Sequence, residues 1–109
     1  LGDYSGIHVS TTSKIVKKVS AALGQLSEHY IYMPTSQEDI SSVKRGFYVI
    51  ACFPSCIGAI DCTHVKIKSP GGGDAELYRN RKGFFSINVQ SICDSSLMIR
   101  DIVARWPHF

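Results

Sequence analysis

A chain of 109 residues, 44% of them hydrophobic, has room for one domain or part of one and is too apolar for a disordered segment. Its net charge of +3 is compatible with nucleic acid without pointing to it, and no run of about 18 apolar residues offers a membrane-spanning helix. Four cysteines without C-x-x-C spacing argue against a disulfide scaffold. With no signal-peptide layout, they point to a soluble chain in a reducing, intracellular compartment.

Residues 2–8 read as a turn entering a helix. Ile15, Val19, Ala22, Leu23, Leu26 and Tyr30 then fall on one helical stripe, which predicts an amphipathic helix over 10–30 with Ser10 or Thr11 as its N-cap. Lys14, Lys17 and Lys18 lie away from that stripe as a basic face. A turn followed by a basic helix is what the recognition half of a helix-turn-helix requires. A solvated lysine face explains the same pattern and is the simpler reading. The second helix is expected from Thr35, where Thr35-Ser36-Gln37-Glu38 has capping-box spacing. Ile40, Val43, Phe47 and Ala51 supply its stripe, and Pro54 ends it. Residues 1–52 thus form a helical region, with residues 53–109 as a separate part.

That second part reads as strands. Residues 57–67 are rich in Ile and Val but carry Asp61 in their middle. A carboxylate buried there must be paired, hydrogen-bonded or bound to a cation, and structural pairing is the commoner solution. The following Pro70-Gly71-Gly72-Gly73-Asp74 lacks the flanking pattern of a phosphate-binding loop and reads as a connector. Phe85, Ile87, Val89, Ser91 and Cys93 alternate with Ser86, Asn88 and Gln90, as in a sheet. Asp94-Ser95-Ser96 is a turn that Asp94 caps, leading to a third strand over 97–106 in which Asp101 pairs with Arg100 or Arg105. Helices followed by three sequential strands on short connections predict an α+β fold with an antiparallel meander.

Metal-dependent phosphodiester cleavage requires several carboxylates around hard divalent ions. Beyond Asp61 the chain offers Asp74, Glu76, Asp94 and Asp101, none an obvious second ligand from spacing. Arg79, Arg81 and Lys82, among the aromatics of 76–85, suit a nucleic-acid backbone and its exposed bases. A solvated basic loop over core Phe residues fits equally well. Cys52, Cys56, Cys62 and His64 are too irregularly spaced for zinc, which leaves the cysteines as buried structural residues.

Three strings carry a resemblance: Gly58-Ala59-Ile60-Asp61-Cys62-Thr63-His64-Val65; Tyr78-Arg79-Asn80-Arg81-Lys82-Gly83-Phe84 with Ser86-Ile87-Asn88-Val89-Gln90; and Val103-Ala104-Arg105-Trp106-Pro107. In this order they resemble the PIF/Harbinger transposase-derived nucleases, and Cys52-Phe53-Pro54 and the helix-turn-helix-like opening match as well. The resemblance implies the opening part of an RNase H-like core of the DDE type, acting on DNA with Mg²⁺ or Mn²⁺. It further implies a nuclear protein, with the cytoplasm also open, and a partner DNA-binding protein. It assigns the first catalytic, metal-binding Asp to Asp61. Lys14, Lys17, Lys18, Arg79, Arg81 and Lys82 are the expected nucleic-acid contacts. In that family a second Asp follows the Trp-Pro pair in a Gly-Ser-x-x-Asp context, and a third acid lies further on. Here Pro107 is followed by His108 and Phe109. The expectation is a fragment of a metal-dependent nuclease that does not cut DNA as it stands. A non-catalytic DNA- or protein-binding module is the alternative, and a truncated product without a stable fold is the third reading.

Overall fold

The first apolar stripe forms helix α1, Val9–Tyr30, in a computed structural model that describes residues 6–107. The expected opening turn falls largely on residues 1–5, outside the described residues. Ser10 and Thr11 are not the cap, as both lie inside the helix. The residue before it serves instead: the His8 carbonyl accepts from Thr12 N–H at 3.0 Å, and His8 Nδ1 accepts from Ser10 N–H at 3.3 Å. An imidazole thereby satisfies an amide that the helix itself leaves unpaired. No residue of α1 is buried.

Helix α2 spans Gln37–Ala51. Its cap is Ser36 and not Thr35: the Ser36 hydroxyl accepts from Asp39 N–H at 3.1 Å, so the capping pattern sits one residue later than expected. Ile40, Val43 and Phe47 are half-buried as the stripe predicts, while Ala51 is exposed. The helix ends at Cys52, which turns left-handed at φ 54° and donates its N–H to Tyr48 O at 2.8 Å, with Pro54 just beyond.

Strand β1 (Ala59–Lys66), a short 3-10 turn (Ala75–Tyr78), β2 (Ser86–Cys93) and β3 (Ile99–Trp106) complete the order. The strands form an antiparallel sheet in the order β1-β2-β3, the α+β meander that the sequence predicts. The chain divides into two compact units after Tyr30. Helix α2 therefore groups with the sheet, although composition places the break at residue 52. Within this second unit α2 approaches the β2–β3 turn so closely that a Cβ at Gly46 would collide with Ser95 Oγ.

The expected apolar core is not there. Among the described residues no hydrophobic side chain is buried, and the buried positions are Pro34, Ser86 and Asn88. A three-stranded sheet flanked by little else covers each apolar face only in part. The glycine-rich 71–73 stretch is an exposed connector, as expected, with Gly71 and Gly72 at positive φ.

Candidate functional site

Alternation along β1 separates its side chains into two sets. In register with β2, Cys62, His64 and Lys66 stand opposite Gln90, Asn88 and Ser86, while Asp61, Thr63 and Val65 stand opposite Ser91, Val89 and Ile87. Asp61 and His64 therefore point to opposite faces of the sheet. Every residue of β1 is exposed, because β1 is an edge strand that pairs with β2 alone.

The burial expected of Asp61 is accordingly not found. Its carboxylate is exposed, and Oδ1 accepts one hydrogen bond, from Cys62 N–H at 2.9 Å. Burial of Asp61 requires a layer packed over its face of the sheet, and every β1 side chain is exposed instead. Divalent ions of the Mg²⁺ class take several oxygen ligands. Among the described residues no three of His, Cys, Asp and Glu are placed to hold a metal. Asp61 alone does not fit a two-metal centre, and no metal-dependent step follows from these residues.

The opposite face holds a built cleft of about 860 Å³ lined by Cys62, Thr63, His64, Arg79, Asn80, Arg81, Lys82, Phe84 and Asn88. Its geometry is set by the hairpin from Arg79 to Phe85, closed by a bridge between those two residues. Asn80 organises it. Its N–H donates to Phe84 O at 2.9 Å and its carbonyl accepts from Gly83 N–H at 3.0 Å. Its Oδ1 accepts from Lys82 N–H at 2.9 Å, and its Nδ2 donates to Ser86 Oγ at 2.9 Å. The same hydroxyl lies 3.0 Å from His64 Nδ1, so Ser86, fully buried, ties β1 to the hairpin through its neighbours. Gly83, at φ 89°, takes the left-handed position that closes the turn.

The three predicted cations of this segment have separate roles. Arg79 is committed: Nε and Nη2 donate to Glu76 at 2.8 and 3.0 Å and Nη1 donates to Gly83 O at 2.9 Å. Its guanidinium also stacks 4.5 Å from the Phe85 ring centre. The hydrogen bond from Arg79 holds the Glu76 carboxyl below its usual range, and Glu76 in turn raises Arg79. Arg79 thus clamps the hairpin. Arg81 and Lys82 are exposed and make no ion pair among the described residues, so their charges face outward. Phe84 is half-buried with Lys66 Nζ 5.8 Å from its ring centre. The helix lysines Lys14, Lys17 and Lys18 are likewise exposed on α1.

Other expectations shift. Asp101 pairs with neither Arg100 nor Arg105 among the described residues. Arg100 reaches instead to Asp94, Nη1 to Oδ2 at 3.8 Å. Asp94 does cap its turn, Oδ1 accepting from Ser96 N–H at 2.9 Å and Met98 N–H at 3.0 Å. The cysteines are free, with Cys52 and Cys62 exposed and Cys56 and Cys93 half-buried, so the buried structural role expected of them does not hold. Sequence reasoning missed Asn80 and Asn88. The Asn-x-x-Gly spacing of 80–83 was the available turn signal. Nothing in the pattern marked Asn88, which occupies a polar position of an alternating strand.

Residues 60–107, which hold β1 from Ile60 onward with β2 and β3, match the DDE superfamily endonuclease family. HARBI1 of Rattus norvegicus, named for an inferred nuclease activity, is 37% identical over 107 residues, 98% of this chain and 30% of its own length. HARBI1 of Homo sapiens is 35% identical over the same shares. The ALP1-like protein of Arabidopsis thaliana is 27% identical over 98% of this chain and 26% of its own length. No solved structure matches. The strand segment is thus similar to the DDE superfamily endonucleases. Over nearly its whole length the chain is similar to these Harbinger transposase-derived relatives, in keeping with its motifs. It spans about 30% of the length of the HARBI1 relatives.

Proposed function

We propose that this chain is the opening portion of a DNA-acting nuclease core, with Asp61 as one carboxylate of a Mg²⁺- or Mn²⁺-binding set that the described residues do not complete. The observation that carries this reading is the position of Asp61: it lies inside the segment matching the DDE endonucleases, on an exposed edge strand. A carboxylate spending one hydrogen bond on a neighbouring amide keeps lone pairs for a ligand. When bound, such an ion supplies an activated water and stabilises charge developing on the phosphate. The 109-residue chain itself binds DNA without cutting it, and works in the nucleus with a DNA-binding partner.

Incubation with supercoiled plasmid and Mg²⁺ tests this. The expected result is intact plasmid, with binding that weakens steeply as salt rises. Cleavage by this chain that disappears in Asp61→Ala would overturn the inactive-fragment reading. A second reading, a non-catalytic DNA-binding module, is favoured by the outward cations Arg81 and Lys82 on a fixed hairpin. Affinity independent of salt, or no binding at all, would sink both.

A further inference from the structure

The His64 face of the sheet is polar where a sheet interior is normally apolar, and it carries an unspent amide. Asn88 is 4% exposed and its Oδ1 is buried without a hydrogen-bond partner. A buried, unpaired amide oxygen in a native fold calls for an explanation. Neighbouring polar groups do not provide it, since Ser86 is already engaged by His64 and Asn80. Asn88 lines the cleft of about 860 Å³ together with Arg81 and Lys82, a volume within the range of small-ligand sites. Turning the amide toward the cleft sacrifices no bond to its oxygen.

A ligand that satisfies this lining offers hydrogen-bonding edges to the buried amide and negative charge to the exposed cations. Phe84, half-buried on the wall, adds an aromatic surface for a planar ring. A nucleotide has all three properties, and an amide is the side chain that reads a base edge as donor and acceptor together. We propose that the cleft holds one nucleotide of a DNA strand, its base edge on the Asn88 amide and its phosphate at Arg81 and Lys82. The inference rests on the DNA-acting reading above. It adds a site on the face of the sheet away from Asp61, where a strand is held and not cut.

The test compares two single strands of about ten nucleotides, one of mixed sequence and one abasic throughout, binding to the full 109-residue chain by fluorescence anisotropy. The wild-type chain favours the base-bearing strand by about tenfold. Asn88→Leu removes that preference and leaves affinity for the abasic strand unchanged. Asn88→Asp, closer in shape, removes it too and repels the phosphate. The exposed pair Arg81→Ala and Lys82→Ala, which carries no folding role, weakens both strands alike and flattens the salt dependence. Equal affinity of the wild-type chain for both strands overturns the cleft while the DNA-acting reading stands. So does a base preference that survives Asn88→Leu or Asn88→Asp. Failure to bind either strand overturns both.

Discussion

Two aspartates, Asp61 on β1 and Asp94 in the β2–β3 turn, are buried in the opposite order to the one their sequence surroundings suggest. Asp61 sits in an apolar run and reads as the carboxylate in need of compensation, yet it lies exposed on an edge strand with one local hydrogen bond. Asp94 sits in a polar turn and reads as unremarkable to burial arguments, yet its side chain is 13% exposed beside an Arg100 at 18%. It accepts two backbone N–H groups while facing that guanidinium. The carboxylate whose lone pairs are consumed locally is the structural one. The carboxylate left open is the one available to a ligand.

The sharpest way to break that contrast is Asp94→Ala. It removes the acceptor for two turn amides and leaves Arg100 half-paired in a site where Arg100 Nε already lacks a partner. The expected loss is about 2–4 kcal/mol in urea unfolding. A midpoint equal to the wild type would show that Asp94 is no more committed than Asp61. A smaller effect comes from the support behind the same turn. Gly46→Ala drives a methyl into Ser95 Oγ. Rotation of that hydroxyl and the helix propensity of alanine offset part of the clash, so the net cost is expected to stay within about 1 kcal/mol. Adding Ser95→Ala should recover much of that loss, since the two sites are in contact. Full additivity would mean that α2 does not buttress the turn.

The contrast also shows what was legible in the residues. Period and turn chemistry gave both helices, all three strands and the Asp94 cap, because these depend on neighbours within a few positions. Burial depends on which elements cover which, and a single sequence does not report that. Thus Ile60 and Val65 have the composition of a covered strand, but lie 65% and 49% exposed. The helix caps moved by one to three residues because several polar side chains near each end could serve. At the candidate site, the exposed cations Arg81 and Lys82 were legible from composition. The diversion of Arg79 into a clamp was not, since it depends on Glu76 standing one 3-10 turn away.

That clamp offers a milder test, through pH. Glu76 is held below its usual range by the Arg79 hydrogen bond. Its folded-state pKa therefore lies under the unfolded one, so the pair's contribution is present above the ordinary carboxylate range and fades as pH falls through the lowered value. Both groups are exposed, and the effect is local. Protection factors at Gly83 and Phe84, with the intrinsic exchange rate at each pH divided out, should fall on acidification and stay constant in Glu76→Gln. Unchanged protection across the acid limb would mean that Arg79 is held by Gly83 O and the Phe85 ring alone.

The smallest expected effect is the most informative about function. Asp61→Ala removes a carboxylate that is exposed and bonded only to the next residue's amide. Stability should change by no more than about 0.5 kcal/mol, as for surface positions without a special role. The equivalent change at Asp94 costs several times more. A loss above about 1 kcal/mol at Asp61 would mean that the side chain stabilises β1. It would then resemble Asp94, and its fitness as an open ligand would fail. A silent substitution leaves a charged residue on an edge strand with no structural task, which is the condition a ligand-binding carboxylate must meet before any ion is considered.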